Sequence, residues 1–164
     1  MAVWYVLAGL QWPMFDMSDE AGIRELAKPR SDWFRFRRNF TSRDGWDTIT
    51  ALPESVNIYR GVCDRRRLQG WSYSTNRDVA IDFALGRGMI RDDPCPEDLV
   101  SLLLHATVNR SDVIAAVNDR YEAELIVDPL TVHSPQLIEL YDLKRGPDDE
   151  VTSYRMRPYC WLRG

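Results

Sequence analysis

The hydrophobic positions of this chain switch between two periods. Val56-Asn-Ile-Tyr-Arg-Gly-Val62 follows Pro53 and alternates, so Val56, Ile58, Arg60 and Val62 share one face of a predicted strand. Gly70 to Asn76 alternates as well. Asn76 then caps a predicted helix whose apolar stripe is Val79, Ala80, Phe83 and Ala84, ending near Gly86 or Gly88. Leu99 to Val108 is long, apolar and β-rich, a central strand in which His105 reads as a core histidine. Ser111 to Val117 reads as a short helix, and Asn118-Asp119 turns the chain into a strand over 120–129. Further strands are expected at 130–132, 137–143 and 151–161, with a charged turn at 144–150. Toward the start, Ala21, Ile23, Leu26 and Ala27 make a helix capped by Ser18 or Asp19 and closed by Pro29. Trp33, Phe36 and Phe40 fall on one helical face. Thr41 to Leu52, with Gly45, reads as a polar connection. No repeat or linker divides the chain, so residues 1–164 are expected to form a single domain.

Composition narrows the choices. A net charge of −4 and a pI near 5.2 argue against duplex nucleic acid, which needs a basic surface. Arg35, Arg37 and Arg38 interleaved with Trp33, Phe34 and Phe36 are what a single-stranded nucleic acid would use. Their helical spacing favours an amphipathic, core-facing helix instead. Three cysteines (Cys63, Cys95, Cys160) make no disulfide framework, and with His105 and His133 they make no zinc pattern; reduced thiols in a cytoplasmic protein are expected. Residues 2–10 are apolar but brief and lack a basic leader, which fits a buried first strand or helix better than a signal peptide or membrane span.

Three pieces carry candidate chemistry. In Arg120-Tyr-Glu-Ala-Glu-Leu-Ile-Val-Asp-Pro129, strand alternation puts Glu122 and Glu124 on one face, about 6–7 Å apart at the usual rise. Neighbouring carboxylates repel and lose hydration, which a catalytic site exploits; the plain alternative is a solvated acidic edge. Arg60 is a lone cation on an apolar face, followed by Gly61; the plain alternative is a salt bridge to Asp64. Ser72-Tyr-Ser-Thr-Asn76 offers hydroxyls at a strand–helix junction, where capping alone would also place them.

In this order the pieces resemble the mono-ADP-ribosyltransferases of the arginine–serine–glutamate class, which includes bacterial toxins and phage-encoded enzymes. Tyr59-Arg60-Gly61 is similar to the first motif, Ser72-Tyr-Ser-Thr75 to the second, and Glu122-Ala-Glu124 to the third; the likeness spans about residues 56–129. It implies an α+β fold of two packed, mainly antiparallel sheets around an NAD cleft, with flanking N-terminal helices. It implies transfer of ADP-ribose from NAD⁺ to a protein side chain, arginine favoured by the E-x-E form. By the resemblance Glu124 holds the ribose and stabilises an oxocarbenium-like transition state. Glu122 deprotonates the incoming nucleophile, because a guanidinium stays protonated without a base. Arg60, Gly61, Ser72, Ser74 and Thr75 are the implied cofactor-binding residues, with Ser72 or Ser74 also hydrogen-bonding the catalytic glutamate; either serine can be the functional one, since both share a face. The implied partners are a target protein and an antitoxin or immunity protein. The alternatives are an NAD⁺ hydrolase or a nucleic-acid transferase of the same fold, or a non-catalytic binding or inhibitor module.

Overall fold

The computed structural model describes residues 43–63, 68, 70–86, 100–117, 123–147 and 150–159. Helix α1 (Arg43–Ala51) precedes β1 (Ser55–Val62) and β2 (Ser72–Ser74). Helix α2 (Arg77–Ala84) leads to β3 (Ser101–Asn109), a single 3-10 turn (Arg110–Asp112) and β4 (Val113–Val117). Then follow β5 (Glu124–Val127), a 3-10 turn (Pro129–Thr131), β6 (His133–Arg145) and β7 (Val151–Pro158). The strands form one antiparallel sheet in the order β4-β5-β2-β1-β3-β6-β7. This is mixed α and β architecture, as expected. The expected pair of packed sheets is instead one continuous ladder among the described residues. β1 joins its halves: it registers with β3 along its whole length but with β2 at one position, Tyr59 opposite Ser74.

Each helix covers one face. On the first, Ile49 of α1 joins Val56, Ile58, Tyr73, Ala106, Val108, Val113, Leu125 and Val127 in a buried cluster. On the second, Ala80, Ile81, Ala84 and Leu85 pack with Leu103, Leu140 and Val151. Helix α2 begins as its sequence predicts: the Asn76 side chain accepts the Asp78 N–H at 2.9 Å. It stops at Gly86, whose φ of 74° closes the last turn and whose N–H bonds the Phe83 carbonyl.

The structure corrects three elements. Thr41–Leu52 is not a polar connection but contains α1. Its buried Gly45 and Ile49 lie one helical turn apart, and Thr48 and Thr50 return their hydroxyls to the Asp44 and Asp47 carbonyls. Packing against β4 outweighs the poor helix propensity of Gly, Asp and Thr. Ser111–Val117 is not a helix: a 3-10 turn passes directly into β4, whose residues 113–116 are buried. A short, continuously apolar run carries no period, so its length and partners decide. Residues 130–132 are mostly turn, set by the Asp128 carboxylate accepting the Leu130 N–H. The expected strand 137–143 is longer, and positive φ at Ser134 and Asp142 coincides with register shifts in its ladders. The expected helices at 18–29 and 33–40, with their arginine–aromatic cluster, lie outside the described residues.

Candidate active site

Between α2 and the β1–β2–β5 part of the sheet lies a cleft of roughly 200 Å³. Its wall includes Arg60, Gly61, Ser72, Ser74 and Glu124, so five of the seven sequence candidates meet here from three separate strands. Register explains the meeting. Tyr59 lies opposite Ser74, and Ser74 lies opposite Glu124, so the three occupy one row across β1, β2 and β5. Directly opposed residues share a face, with Cβ atoms about 4.5–5.5 Å apart. The row continues to His105 on β3, whose ring stacks on Tyr59 with centroids 4.9 Å apart. His105 Nε2 lies 3.2 Å from Asn57 Oδ1, so this histidine is half-buried, stacked and hydrogen-bonded within the row, which runs on to Gln136 of β6.

Arg60 sits where the β1–β2 ladder lapses. Its Nη1 donates to the Ser72 carbonyl at 2.6 Å. Gly70 makes room for it: a Cβ there would fall 2.2 Å from Nη2 and 2.3 Å from Cζ. The neighbouring Tyr73 is buried; burial pushes its hydroxyl pKa up, the Arg60 cation opposes that shift, and Asp128 adds to it. Asp64, the alternative ion-pair partner for Arg60, lies outside the described residues.

The two serines differ. The Ser74 hydroxyl oxygen accepts the Asn76 N–H at 2.9 Å, so it serves the strand–helix turn as the plain reading held. It is also the serine opposite Glu124. Ser72 lines the cleft one step further along β2, opposite Ile126. Thr75 is not part of the cleft wall. Its N–H and its hydroxyl both approach the Ala123 carbonyl, at 3.1 and 3.4 Å.

Glu122 lies outside the described residues. The strand begins only at Glu124, and Ala123 has φ of 46°, a left-handed conformation rather than an extended one. Ala123 itself is therefore not an extended strand position. Gly61 also seats α2: a Cβ there would lie 1.6 Å from the Ala80 carbonyl oxygen, so the space a side chain would need is taken by the helix.

Sequence reading missed one wall. Val79, Ala80 and Phe83, assigned to the apolar stripe of α2, line the cleft with Tyr59 and Cys63, while Ala80 and Ala84 are the buried members of that stripe. The signal was present in residue size: only alanines allow the helix to approach Gly61, which leaves the larger pair on the flank. Among the described residues no group of three or more His, Cys, Asp or Glu gathers, and no helix is long and apolar enough to cross a membrane. The residues of the cleft wall thus include an arginine, a half-buried carboxylate, serine hydroxyls and three aromatic side chains. No protein-family model, curated protein or solved structure matches the chain.

Proposed function

We propose that this chain is an ADP-ribosyltransferase-like enzyme that binds NAD⁺ in the cleft and transfers its ADP-ribose to a protein side chain, arginine favoured. The observation that carries this reading is the convergence of Arg60, Ser74 and Glu124 on one cleft from strands separated by up to 64 positions in sequence. A cleft smaller than the ~300 Å³ usual for drug-sized ligands suits the nicotinamide–ribose half of the dinucleotide. Tyr59 and Phe83 offer flat apolar faces to a nicotinamide ring.

The chemistry follows from the residue types. The bond from ribose C1′ to the nicotinamide nitrogen breaks, and its electron pair leaves with nicotinamide. The Glu124 carboxylate stabilises the positive charge that develops on the sugar. The acceptor nitrogen then bonds to C1′ and gives up a proton to a base, the role the resemblance gives to Glu122. Arg60 supplies a cation for the anionic part of the dinucleotide. The setting rests on the same resemblance: a toxin or effector of bacterial or phage origin, acting in the cytoplasm, with a partner protein that neutralises it.

Nicotinamide release from NAD⁺, compared between the wild type and Glu124→Gln, tests the reading. Release that depends on Glu124 supports it. No release above background from the wild type, with no NAD⁺-induced rise in melting temperature, would leave a binding module whose ligand is something else.

A further inference from the structure

The left-handed residue before the glutamate has no local excuse among the described residues. Ser134 and Asp142, the other non-glycine residues with positive φ among those described, fall at register shifts of β6. Ala123 has no polar side chain to stabilise its turn. An L-residue in this region pushes Cβ toward the following carbonyl oxygen, and a backbone keeps such strain only where its surroundings impose it. The surroundings here are explicit. The Ala123 carbonyl receives the Thr75 N–H at 3.1 Å and faces the Thr75 hydroxyl at 3.4 Å. One residue later the chain enters the β2–β5 ladder at Ser74 opposite Glu124.

We infer that Ala123 and Thr75 form a positioning device for Glu124: Thr75 clamps the Ala123 carbonyl, and the left-handed turn aims the Glu124 side chain along the Ser74 row into the cleft. The inference rests on the proposed reaction and adds to it a role for the middle residue of the E-x-E sequence. That residue acts through its backbone, not as a spacer in a strand. Thr75 is thereby a positioning residue and not a cofactor contact.

The competing geometry, an extended strand through residue 123, predicts the opposite ranking of substitutions, which makes the test sharp. In an extended strand Val is favoured and Gly disfavoured. In a left-handed turn Gly is tolerated and Val, β-branched, is opposed. The experiment measures urea midpoints, kcat and KM for NAD⁺ in nicotinamide release. The variants are Ala123→Gly, Ala123→Val, Thr75→Val, Thr75→Ser and Glu124→Gln. The expected result has Ala123→Gly within about twofold of wild type in kcat and Ala123→Val at least about tenfold lower, with KM for NAD⁺ little changed. Thr75→Val lowers kcat about two- to tenfold, and Thr75→Ser restores it. In urea, the Ala123→Val midpoint falls below that of Ala123→Gly. Val tolerated as well as Gly in both midpoint and kcat overturns the turn. The expected order of midpoints with kcat unchanged throughout overturns the positioning role. Wild-type and Glu124→Gln proteins equally inactive overturn the reaction and the positioning role with it, while the midpoints still report whether the turn is left-handed.

Discussion

Replacing Gly61 by Ala adds one methyl group where the backbone of α2 already sits. The added Cβ would lie 1.6 Å from the Ala80 carbonyl oxygen and 2.6 Å from the Ala84 nitrogen. Both are backbone atoms, so no side chain can rotate away. To reach even the tightest contact found for real Cβ atoms, 3.0 Å, the helix must withdraw by about 1.4 Å. That movement opens the layer in which Ala80 and Ala84 pack with Leu103. Overpacking of this kind costs about 1–3 kcal/mol, occasionally more. An opposing gain of about 0.5–1 kcal/mol comes from replacing a glycine inside a strand. The net expectation is destabilisation of about 1–2 kcal/mol, or a drop of roughly 2–8 °C in melting temperature for a chain of this length. Helix withdrawal also displaces Val79 and Phe83, so nicotinamide release should fall together with stability. Calorimetry and chemical denaturation read the first effect directly. A Gly61→Ala protein as stable as the wild type would refute the close seating of α2 on β1.

Other substitutions separate stability from chemistry. Gly70→Ala has its three nearest contacts with the flexible end of Arg60, so it should shift the melting temperature by less than about 3 °C while lowering nicotinamide release at least about tenfold by displacing the guanidinium. Ser74→Ala should reduce kcat more than Ser72→Ala, because Ser74 is the residue opposite Glu124; equal losses would contradict the cross-strand row. Asn76→Ala removes the cap of α2 and should cost about 1 kcal/mol in denaturant titrations. Tyr73 is held neutral by burial, so its folded pKa lies above 10.0. Its stabilising contribution is complete below pH 10 and is lost as pH rises through the folded value. Urea midpoints falling above pH 10, less steeply in Tyr73→Phe, are the expected outcome.

Much of the region around the cleft is legible in the sequence because its signals are local. Asn76 and Gly86 bound α2 as cap and stop, Val56 and Ile58 alternate into the core of β1, and Arg60, Ser72, Ser74 and Glu124, drawn from the three motifs, line one cleft. What escaped depends on partners distant in sequence. Gly45, Thr48 and Thr50 say turn until β4 supplies a surface for Ile49. β4 carries two alanines and no alternation, so nothing within it distinguishes a strand from a helix. The left-handed Ala123 leaves no mark in its residue type, since the carbonyl clamp comes from Thr75, 48 positions earlier. Register separates the two serines: period-two alternation puts Ser72 and Ser74 on one face, and only the pairing of β2 with β5 shows that Ser74 is the one opposite Glu124.

The central claim is transfer, and labelled NAD⁺ tests it most directly. The purified protein and its Glu124→Gln variant are each incubated with NAD⁺ carrying a radiolabel on the ADP-ribose and with a bacterial lysate, and the proteins are resolved on a gel. A discrete labelled band made by the wild type, absent with Glu124→Gln, and removed by conditions that cleave the arginine linkage is the predicted result. No labelled protein, and no Glu124-dependent release of nicotinamide, would contradict the account at its root.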